Sequence, residues 1–317
     1  MFSFIKWIQA TLSQLKRNKG LWFTTLTVLS VTGILTSIYV IHSMTTNVAH
    51  QTYMEERRTD INQLESLLLN RYDGLLTISS ILSLHPQIIG GIKQKQNKNV
   101  QGLLDMASRT INANVNLAPI DMHYYAKNYK VEQSENHDIA KLVLETGQSI
   151  SGIVVNKKGV RIIGIVPIRD NNITIGAVSA SQSIHALKDD FERIGKEFTF
   201  LLAKQQLVFI GLEHKQGMYK KINDNYSVAF HNYDSPFYTH AEKIDFELLE
   251  REKYHNDPFY YTTTDPIIDL NGRTIGLAFI GENSDNANSF VQITKNMINS
   301  VTTVALGLVI SLIMFMF

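Results

Sequence analysis

Two stretches of this sequence are nearly the same: PIRDNNITIG at residues 167–176 and PIIDLNGRTIG at residues 266–276. They share seven positions and begin about 99 residues apart, with one extra residue in the second copy. Each copy predicts a strand, a tight polar turn and a returning strand, in which Gly176 or Gly276 allows another backbone to approach closely. Two unrelated hairpins could match by chance. A repeat of this length instead favours two tandem modules, each an antiparallel sheet with helices on one face.

Further strands and helices surround both hairpins. Short β-prone segments separated by polar turns predict nine strands. These strands are expected at 118–126, 150–156, 160–169 and 173–181 in the first module, and at 197–203, 206–212, 226–232, 259–268 and 273–281 in the second. Shorter helices are expected at 87–96, 99–113, 183–196 and 241–256. The polar residues 130–140 are interpreted as an exposed loop.

A long helix precedes the first module. Four apolar residues recur every seven positions, which is the pattern of a helix with a heptad seam: Ile61, Leu68, Leu75 and Leu82. Two interpretations of this seam stay open. It could pair the helices of two subunits, or it could pack on the sheet of its own module. Both could also hold, with the membrane-near part pairing between subunits and the far part packing on the sheet. The helix should end at His85, because the residue before Pro86 is pushed out of the α conformation.

Two apolar runs flank the modules. Residues 20–41 and 296–317 each contain 22 consecutive residues without Asp, Glu, Lys or Arg. About 20 apolar helical residues cross the ~30 Å hydrocarbon core of a bilayer, so both runs predict transmembrane helices. The alternative for the first run is a cleaved signal peptide. Its length and the lack of a small-residue cleavage site argue against that alternative.

Charge predicts the orientation of these spans. The first 20 residues carry Lys6, Lys16, Arg17 and Lys19 and no acidic residue, which favours a cytoplasmic N-terminus. All 29 acidic residues lie between positions 44 and 296, so the exposed domain is slightly acidic. Nothing here resembles the basic patch of a nucleic-acid-binding protein, and we expect no nucleic-acid partner. The chain has no cysteine, which is compatible with a bacterial envelope protein that needs no disulfides.

Signals of enzymatic activity are absent from the sequence. It contains no nucleophile-elbow, zinc-protease, phosphate-loop or dinucleotide-binding motif, so we expect no catalytic residues and no cofactor. Four histidines of the second module could gather around a metal ion: His214, His231, His240 and His255. Their spacing is not that of metal ligands, and we therefore expect no metal site.

Several short stretches, in the order of span, long helix, two modules and span, resemble a known family. The stretches are Asp121-Met122-His123-Tyr124-Tyr125, Ser151-Gly152-Ile153, Gly159 through Gly164 to Pro167, and Ile175-Gly176-Ala177-Val178. They are similar to the double Cache sensor domains found outside the cytoplasm in bacterial chemoreceptors, sensor histidine kinases and cyclic-dinucleotide enzymes. The resemblance covers about residues 50–290.

The resemblance implies a fold and the place of a ligand. In that family the first, membrane-distal module usually holds a small molecule between its sheet and the covering loops. This sequence departs from the closest branch at two positions: Ile163 stands where an arginine is common, and Val154 where a glutamate is common. The resemblance therefore implies the Cache-like fold, and it implies no particular ligand class.

His123, Tyr125 and Arg161 are the candidate ligand-binding residues. Residues 123 and 125 share one face of a strand, and a neighbouring strand can bring Arg161 opposite them. A guanidinium beside an imidazole and a phenol suits a small carboxylate or a similar anion. The alternative is a structural arginine paired with Asp121 or Glu132.

The sequence thus predicts an α+β protein with a long N-terminal helix and two tandem Cache/PAS-like antiparallel-sheet modules, flanked by two transmembrane helices. The predicted parts are a cytoplasmic N-terminus 1–20, a first span 21–43, a stalk helix 44–84, a membrane-distal module 85–196, a membrane-proximal module 197–284, a juxtamembrane helix 285–296 and a second span 297–317.

The function expected of these parts is that of a sensory receptor in the bacterial inner membrane, with its sensor domain in the periplasm. We expect a small-molecule ligand, contact with the lipid bilayer and a homodimer formed through the long helices. A methyl-accepting chemotaxis-type receptor is the first expectation. The alternatives are a sensor histidine kinase, the sensor half of a cyclic-dinucleotide enzyme, and an envelope assembly protein with two spans. Any output domain would lie beyond residue 317.

Overall fold

The computed structural model of the chain describes residues 19–114, 118–127, 136–209, 219–229, 235–284 and 290–316. The described residues fall into two compact units, of which one comprises those up to 55 together with 290–316, and the other those from 56 to 284. The predicted cytoplasmic segment 1–20 lies almost entirely outside the described residues.

Within the described residues, three helices precede the first sheet: α1 (Lys19–Ser83), α2 (Pro86–Lys93) and α3 (Asn97–Asn114). The chain leaves α1 at His85, which is extended, and Pro86 begins α2, as the sequence predicted. Of the heptad residues, Leu75 is buried, and Leu68 and Leu82 pack partly against the core. From Leu68 to Leu82 the seam therefore packs on its own domain, as one of the two interpretations predicted. Pairing between the helices of two subunits stays a prediction.

The first sheet has four antiparallel strands in the order β1-β4-β3-β2. They are β1 (Ile120–Ala126), β2 (Ile150–Asn156), β3 (Gly159–Asp170) and β4 (Ile173–Ser183), with α4 (His137–Thr146) between β1 and β2. Apolar residues of one face form a core with α1, α2 and α3, whereas those of the other face pack with α4. The predicted loop 130–140 is wrong from residue 137 onward, where α4 begins, and residues 128–135 lie outside the described part.

In the part of the chain that the structure describes, the second sheet has six antiparallel strands. After α5 (Ala186–Arg193) come β5 (Glu197–Ala203), α6 (Lys204–Phe209), β6 (Tyr219–Lys221), β7 (Tyr226–Ala229), α7 (Pro236–Ala241), α8 (Phe246–Glu252), β8 (Tyr254–Asn256), β9 (Tyr260–Ile268) and β10 (Thr274–Asn283). The strand order is β6-β7-β5-β10-β9-β8. Helix α9 (Phe290–Met316) follows, partly in the predicted juxtamembrane segment 285–296.

The two repeated stretches form equivalent hairpins, one in each sheet. Ile168 pairs with Gly176, and Ile267 pairs with Gly276. In both hairpins the pairing then skips the isoleucine that directly precedes this glycine, which is Ile175 or Ile275. A side chain at Gly276 would collide with the Leu201 carbonyl, and one at Gly176 with the Tyr124 ring. The predicted close approach at both glycines is therefore confirmed.

Two predictions for the second sheet are wrong. Residues 204–209 form α6 where a strand was predicted from 206, because Lys204, Gln205 and Gln206 are good helix formers ahead of the β-prone residues. The single helix predicted at 241–256 is broken. The Asp245 carboxylate accepts hydrogen bonds from the backbone N–H groups of Glu247 and Leu248, which starts α8 afresh, and residues 254–256 pair with β9 as a strand.

The predicted membrane spans 21–43 and 297–317 stay predictions. Within the described ranges, no single helix is both long and apolar enough to cross a bilayer. The segments Val31–Ser83 and Pro86–Lys93 meet that requirement as a bent pair, by length and composition alone.

Candidate ligand-binding site

One face of the first sheet carries a row of polar side chains. Asp121, His123 and Tyr125 alternate along β1 on the side where α4 packs. In the antiparallel register, Asp121 lies opposite Ser181 and His123 opposite Ser179 on β4. The strand alternation that the sequence predicted therefore puts His123 and Tyr125 on the same face.

Arg161 belongs to the same row and is largely buried on β3. Its Nη2 lies 2.8 Å from the Asp121 carboxylate and donates to the Ser181 carbonyl at 3.0 Å. Asp121 itself is half exposed, and Lys158 also approaches its carboxylate at 3.7 Å. The ion pair with Asp121 is one of the two structural alternatives for Arg161, and the other partner, Glu132, lies outside the described residues.

His123 and Tyr125 contact each other directly. Their rings meet edge to face with centroids 4.9 Å apart, and Ser179 donates a long hydrogen bond of 3.5 Å to the Tyr125 hydroxyl. Tyr125 is buried and His123 is exposed. The structure thus gathers the three candidate residues along one sheet face, with His123 the most accessible to a small molecule.

A cavity of about 680 Å³ opens beside the edge strand β1. Its described lining consists of Lys95, Gln96, Asn97, Lys98, Asn99, Gln101, His123, Tyr124 and Ala126. Of the three candidate residues, His123 borders this cavity, while Tyr125 and Arg161 are not among its described lining residues. The volume is within the range of small-molecule pockets, which is roughly 300–1,000 Å³.

A second cavity of about 440 Å³ adjoins the same end of β1. It shares Lys95, Asn97, Tyr124 and Ala126 with the first and is also lined by Lys93, Lys127 and residues of β4. Tyr124 therefore lies between two cavities whose described walls contain lysines and amides and no acidic side chain.

Gln101 fixes the position of this wall. Its side chain accepts a hydrogen bond from the Tyr124 backbone N–H at 3.1 Å and donates to the Met122 carbonyl at 3.1 Å. These two bonds satisfy backbone groups on the free edge of β1 and attach α3 to it. The turn before α3, in which Lys95 has a φ of 56°, is thereby held beside the cavity.

Tyr124 has an unusual environment for a polar side chain. It is 8% exposed, and among the described residues its hydroxyl has no hydrogen-bond partner. Burial raises the pKa of this hydroxyl to about 12, so it stays protonated and able to donate at neutral pH. A buried hydroxyl without a partner costs free energy, and a bound acceptor would recover it.

Lys95 and Lys98 escaped the sequence prediction. Lys95 falls at the end of one predicted helix and Lys98 just before the next, and nothing local indicates that a cavity opens beside them. The only signal is compositional, because residues 93–99 contain three lysines, four amides and no acidic residue.

The second sheet brings two of the four histidines together. His240 and His255 approach the same carboxylate of Asp257, with distances of 3.5 and 3.6 Å. Burial lowers the pKa of His240, which keeps its ring neutral. Across the described residues, no three metal-ligating side chains are grouped to hold a metal ion. His214 and His231 lie outside the described part of the chain.

Comparison with known proteins gives likenesses of fold. No protein-family model and no curated protein matches the chain. Among solved structures, the sensor domain of the Vibrio cholerae histidine kinase DctB aligns over 76% of this chain and 98% of its own, with 9% identity and a TM-score of 0.37. The Pseudomonas aeruginosa PAO1 amino acid chemoreceptor PctC, solved as its ligand-binding domain with GABA, aligns over 68% of this chain and 92% of its own, with 13% identity and a TM-score of 0.32.

The Campylobacter jejuni chemoreceptor Tlp3, solved as its ligand-binding domain with 4-methylisoleucine, aligns over 78% of this chain and 94% of its own, with 12% identity and a TM-score of 0.37. All three are sensor or ligand-binding domains. They are the kind of domain that the sequence resemblance predicted. At these identities and scores, the function has to be argued from the site itself.

Proposed function

We propose that this chain is a sensory receptor that binds a small molecule in its first module and passes the signal along α1. The observation that carries the proposal is the 680 Å³ cavity at the edge strand β1, in a sheet that packs on α1. Of the polar sheet face, His123 borders this cavity. In the proposal, His123, Tyr125 and Arg161 form the polar side of the ligand site.

The contact between α1 and the first sheet supports the transmission step. A Cβ atom on Gly164 would lie only 2.8 Å from the Leu76 backbone nitrogen, so β3 and α1 touch backbone to backbone. The Ser79 hydroxyl donates to the Gly164 carbonyl at 3.0 Å. A ligand that binds one arrangement of this sheet better than another shifts the population of the helix positions coupled to it.

The exposed apolar side chains of the first unit support a membrane location. Leu35 and Ile38 of α1 and Val304 of α9 are each at least half exposed, and several neighbours share this property. Contiguous exposed apolar surface of this kind is typical of membrane or protein interfaces. We propose that both helices anchor the chain in the inner membrane, with residues 44–296 in the periplasm.

The output favoured by this proposal is that of a methyl-accepting chemotaxis receptor, acting as a homodimer through the long helices. A sensor histidine kinase uses the same input arrangement and is the second candidate. Both require an output domain in addition to the sensor domain.

A thermal-shift screen tests the proposal. The purified full chain, in mild detergent, is heated with organic acids, amino acids and purines in turn. A ligand at one hundred times its dissociation constant stabilises the folded state by about 2.7 kcal/mol, which raises the melting temperature by several degrees. We expect at least one such compound, with His123→Ala weakening its effect. If no compound acts and the chain instead binds other envelope proteins, an assembly function replaces the receptor.

A further inference from the structure

We propose that the cavity beside β1 recognises a compact oxyanion, with Lys95 and Lys98 supplying positive charge and the Tyr124 hydroxyl supplying a hydrogen bond. This inference rests on the proposed function, because it names the ligand class of the same cavity. It moves the centre of anion recognition from Arg161, which is already paired with Asp121, to Lys95, Lys98 and Tyr124.

The charge of the described cavity wall is one-sided. Lys95 and Lys98 line the larger cavity, Lys93 and Lys127 join Lys95 around the smaller one, and neither described wall contains Asp or Glu. Lys93 is paired with Asp170 at 2.7 Å, whereas within the described ranges no ion pair is found for Lys95 or Lys98. A concave surface of one sign concentrates ions of the opposite sign.

The start of α3 adds to this field. The helix begins at Asn97, runs for 18 residues and presents its first turn to the cavity through Asn97, Lys98 and Asn99. The N-terminal end of a helix carries a partial positive charge and attracts anions. No acidic residue occupies the first turn of α3.

Tyr124 provides the independent observation. Tyr124 lines both cavities, and its hydroxyl is buried beside Gly176 and has no partner among the described residues. A protonated phenol can donate a hydrogen bond, and an oxyanion offers several acceptor positions. A hydrogen bond to a charged acceptor is worth more than one to a neutral acceptor. His123 and the amides at the rim can contact the rest of the ligand.

The experiment compares probes of different charge on the full chain in mild detergent. Succinate and inorganic phosphate represent carboxylate and phosphate oxyanions, succinamide is the uncharged counterpart of succinate, and putrescine is a cation of similar length. We expect one or both oxyanions to raise the melting temperature at concentrations where sodium chloride does not. Succinamide and putrescine should have no effect. The oxyanion that raises the melting temperature, succinate or phosphate, identifies the anionic group of the ligand as a carboxylate or a phosphate.

Three variants then assign the residues. Lys95→Gln with Lys98→Gln should weaken the active oxyanion about tenfold or more, whereas the matched pair Lys141→Gln with Lys188→Gln, exposed lysines elsewhere, should not. Tyr124→Phe should have opposite effects on the stability of the free chain and on its affinity for the oxyanion. Without ligand it should raise the melting temperature, because it removes an unpaired buried hydroxyl, and it should weaken the oxyanion about three- to thirtyfold. A tyrosine that serves packing alone would give neither effect.

The outcomes separate this inference from the receptor proposal. If a neutral or cationic compound from the screen stabilises the chain and no oxyanion does, the anion site is wrong and the receptor stands. If the double lysine variant keeps the full oxyanion shift, the assignment to this cavity is overturned. If no compound of any charge stabilises the chain, the receptor proposal fails together with the inference.

Discussion

The ammonium group of Lys196 and the carboxylate of Asp60 form a buried ion pair that joins α1 to the second sheet. Asp60 is 1% exposed and Lys196 is 9% exposed. Glu56, one turn earlier on α1, is hydrogen-bonded to the same ammonium group. Two carboxylates therefore share one buried cation, just before β5 begins. This is the electrostatic counterpart of the backbone contact that Gly164 makes with α1 in the first sheet.

Replacing Lys196 with Met should destabilise the folded chain strongly. The change removes the positive charge that contacts both carboxylates and leaves Glu56 and Asp60 buried without it. Breaking a buried ion pair in this way costs about 3–5 kcal/mol. Chemical denaturation of the full chain measures the loss. Lys188→Met, at an exposed i,i+4 pair with Glu192, is the control and should cost less than about 1 kcal/mol. Equal effects of the two variants would mean that Lys196 is not holding the cluster.

The pH dependence of stability should report on Asp60. Burial raises its pKa from 3.8 to about 6, although the positive charge of Lys196 acts to lower it. A carboxyl whose pKa is raised on folding favours the folded state below its unfolded pKa, and that contribution is lost as the pH rises through the folded value. Relative to Asp60→Asn, the wild type should therefore be most stable near pH 4 and lose roughly 3 kcal/mol by pH 7.

The measurement for Asp60 is a series of denaturant titrations between pH 4 and pH 7 on both chains. Asn has nearly the shape of Asp and does not titrate, so other groups cancel in the difference. Parallel stability curves for the wild type and Asp60→Asn would show that Asp60 titrates normally in the folded chain.

Local features of the fold were predictable from the sequence because their causes lie within a few residues. His85-Pro86 ends α1, and Asn171 and Asn172 adopt the positive φ values that a two-residue hairpin turn requires. The equivalent register of the two hairpins follows from Gly176 and Gly276, since only glycine fits against the neighbouring strand at those positions.

Long-range features were not predictable in the same way. Lys196 and Asp60 are separated by 136 positions, and no periodicity connects them. The cavity was missed for the same reason, because Lys95 and Tyr124 meet only after Gln101 attaches α3 to β1. His123 and Tyr125 were correctly placed on one face by strand alternation, but that rule does not tell which of them borders a cavity.

The contact between α1 and β3 should not tolerate a side chain at position 164. In Gly164→Ala the new methyl group would press on the backbone at Leu75 and Leu76, which cannot rotate away, so α1 must move. We expect a loss of about 1–3 kcal/mol and a weaker response to ligand. Gly74→Ala is the matched control on α1 itself: it meets open space and should stabilise the helix by about 0.5–1 kcal/mol. A Gly164→Ala chain as stable as the wild type would show that the helix is not held by this strand.

Arg161 tests whether the polar sheet face takes part in ligand binding. Met keeps the length of the side chain and removes its charge and its five donors. If Arg161 contacts the ligand, Arg161→Met should weaken the best compound from the screen by about ten- to a hundredfold. The variant also loses the contacts with Asp121 and Ser181, so some loss of stability without ligand is expected.

Asp121→Asn removes the charge of the ion-pair partner and leaves the guanidinium in place. It should therefore lower stability without a comparable loss of affinity. Calorimetric titration and thermal melts on both variants separate the two effects. Should Arg161→Met lower the melting temperature while ligand affinity stays at the wild-type value, the arginine serves only to join β1, β3 and β4. Ligand recognition would then belong to the lysines and Tyr124 at the cavity.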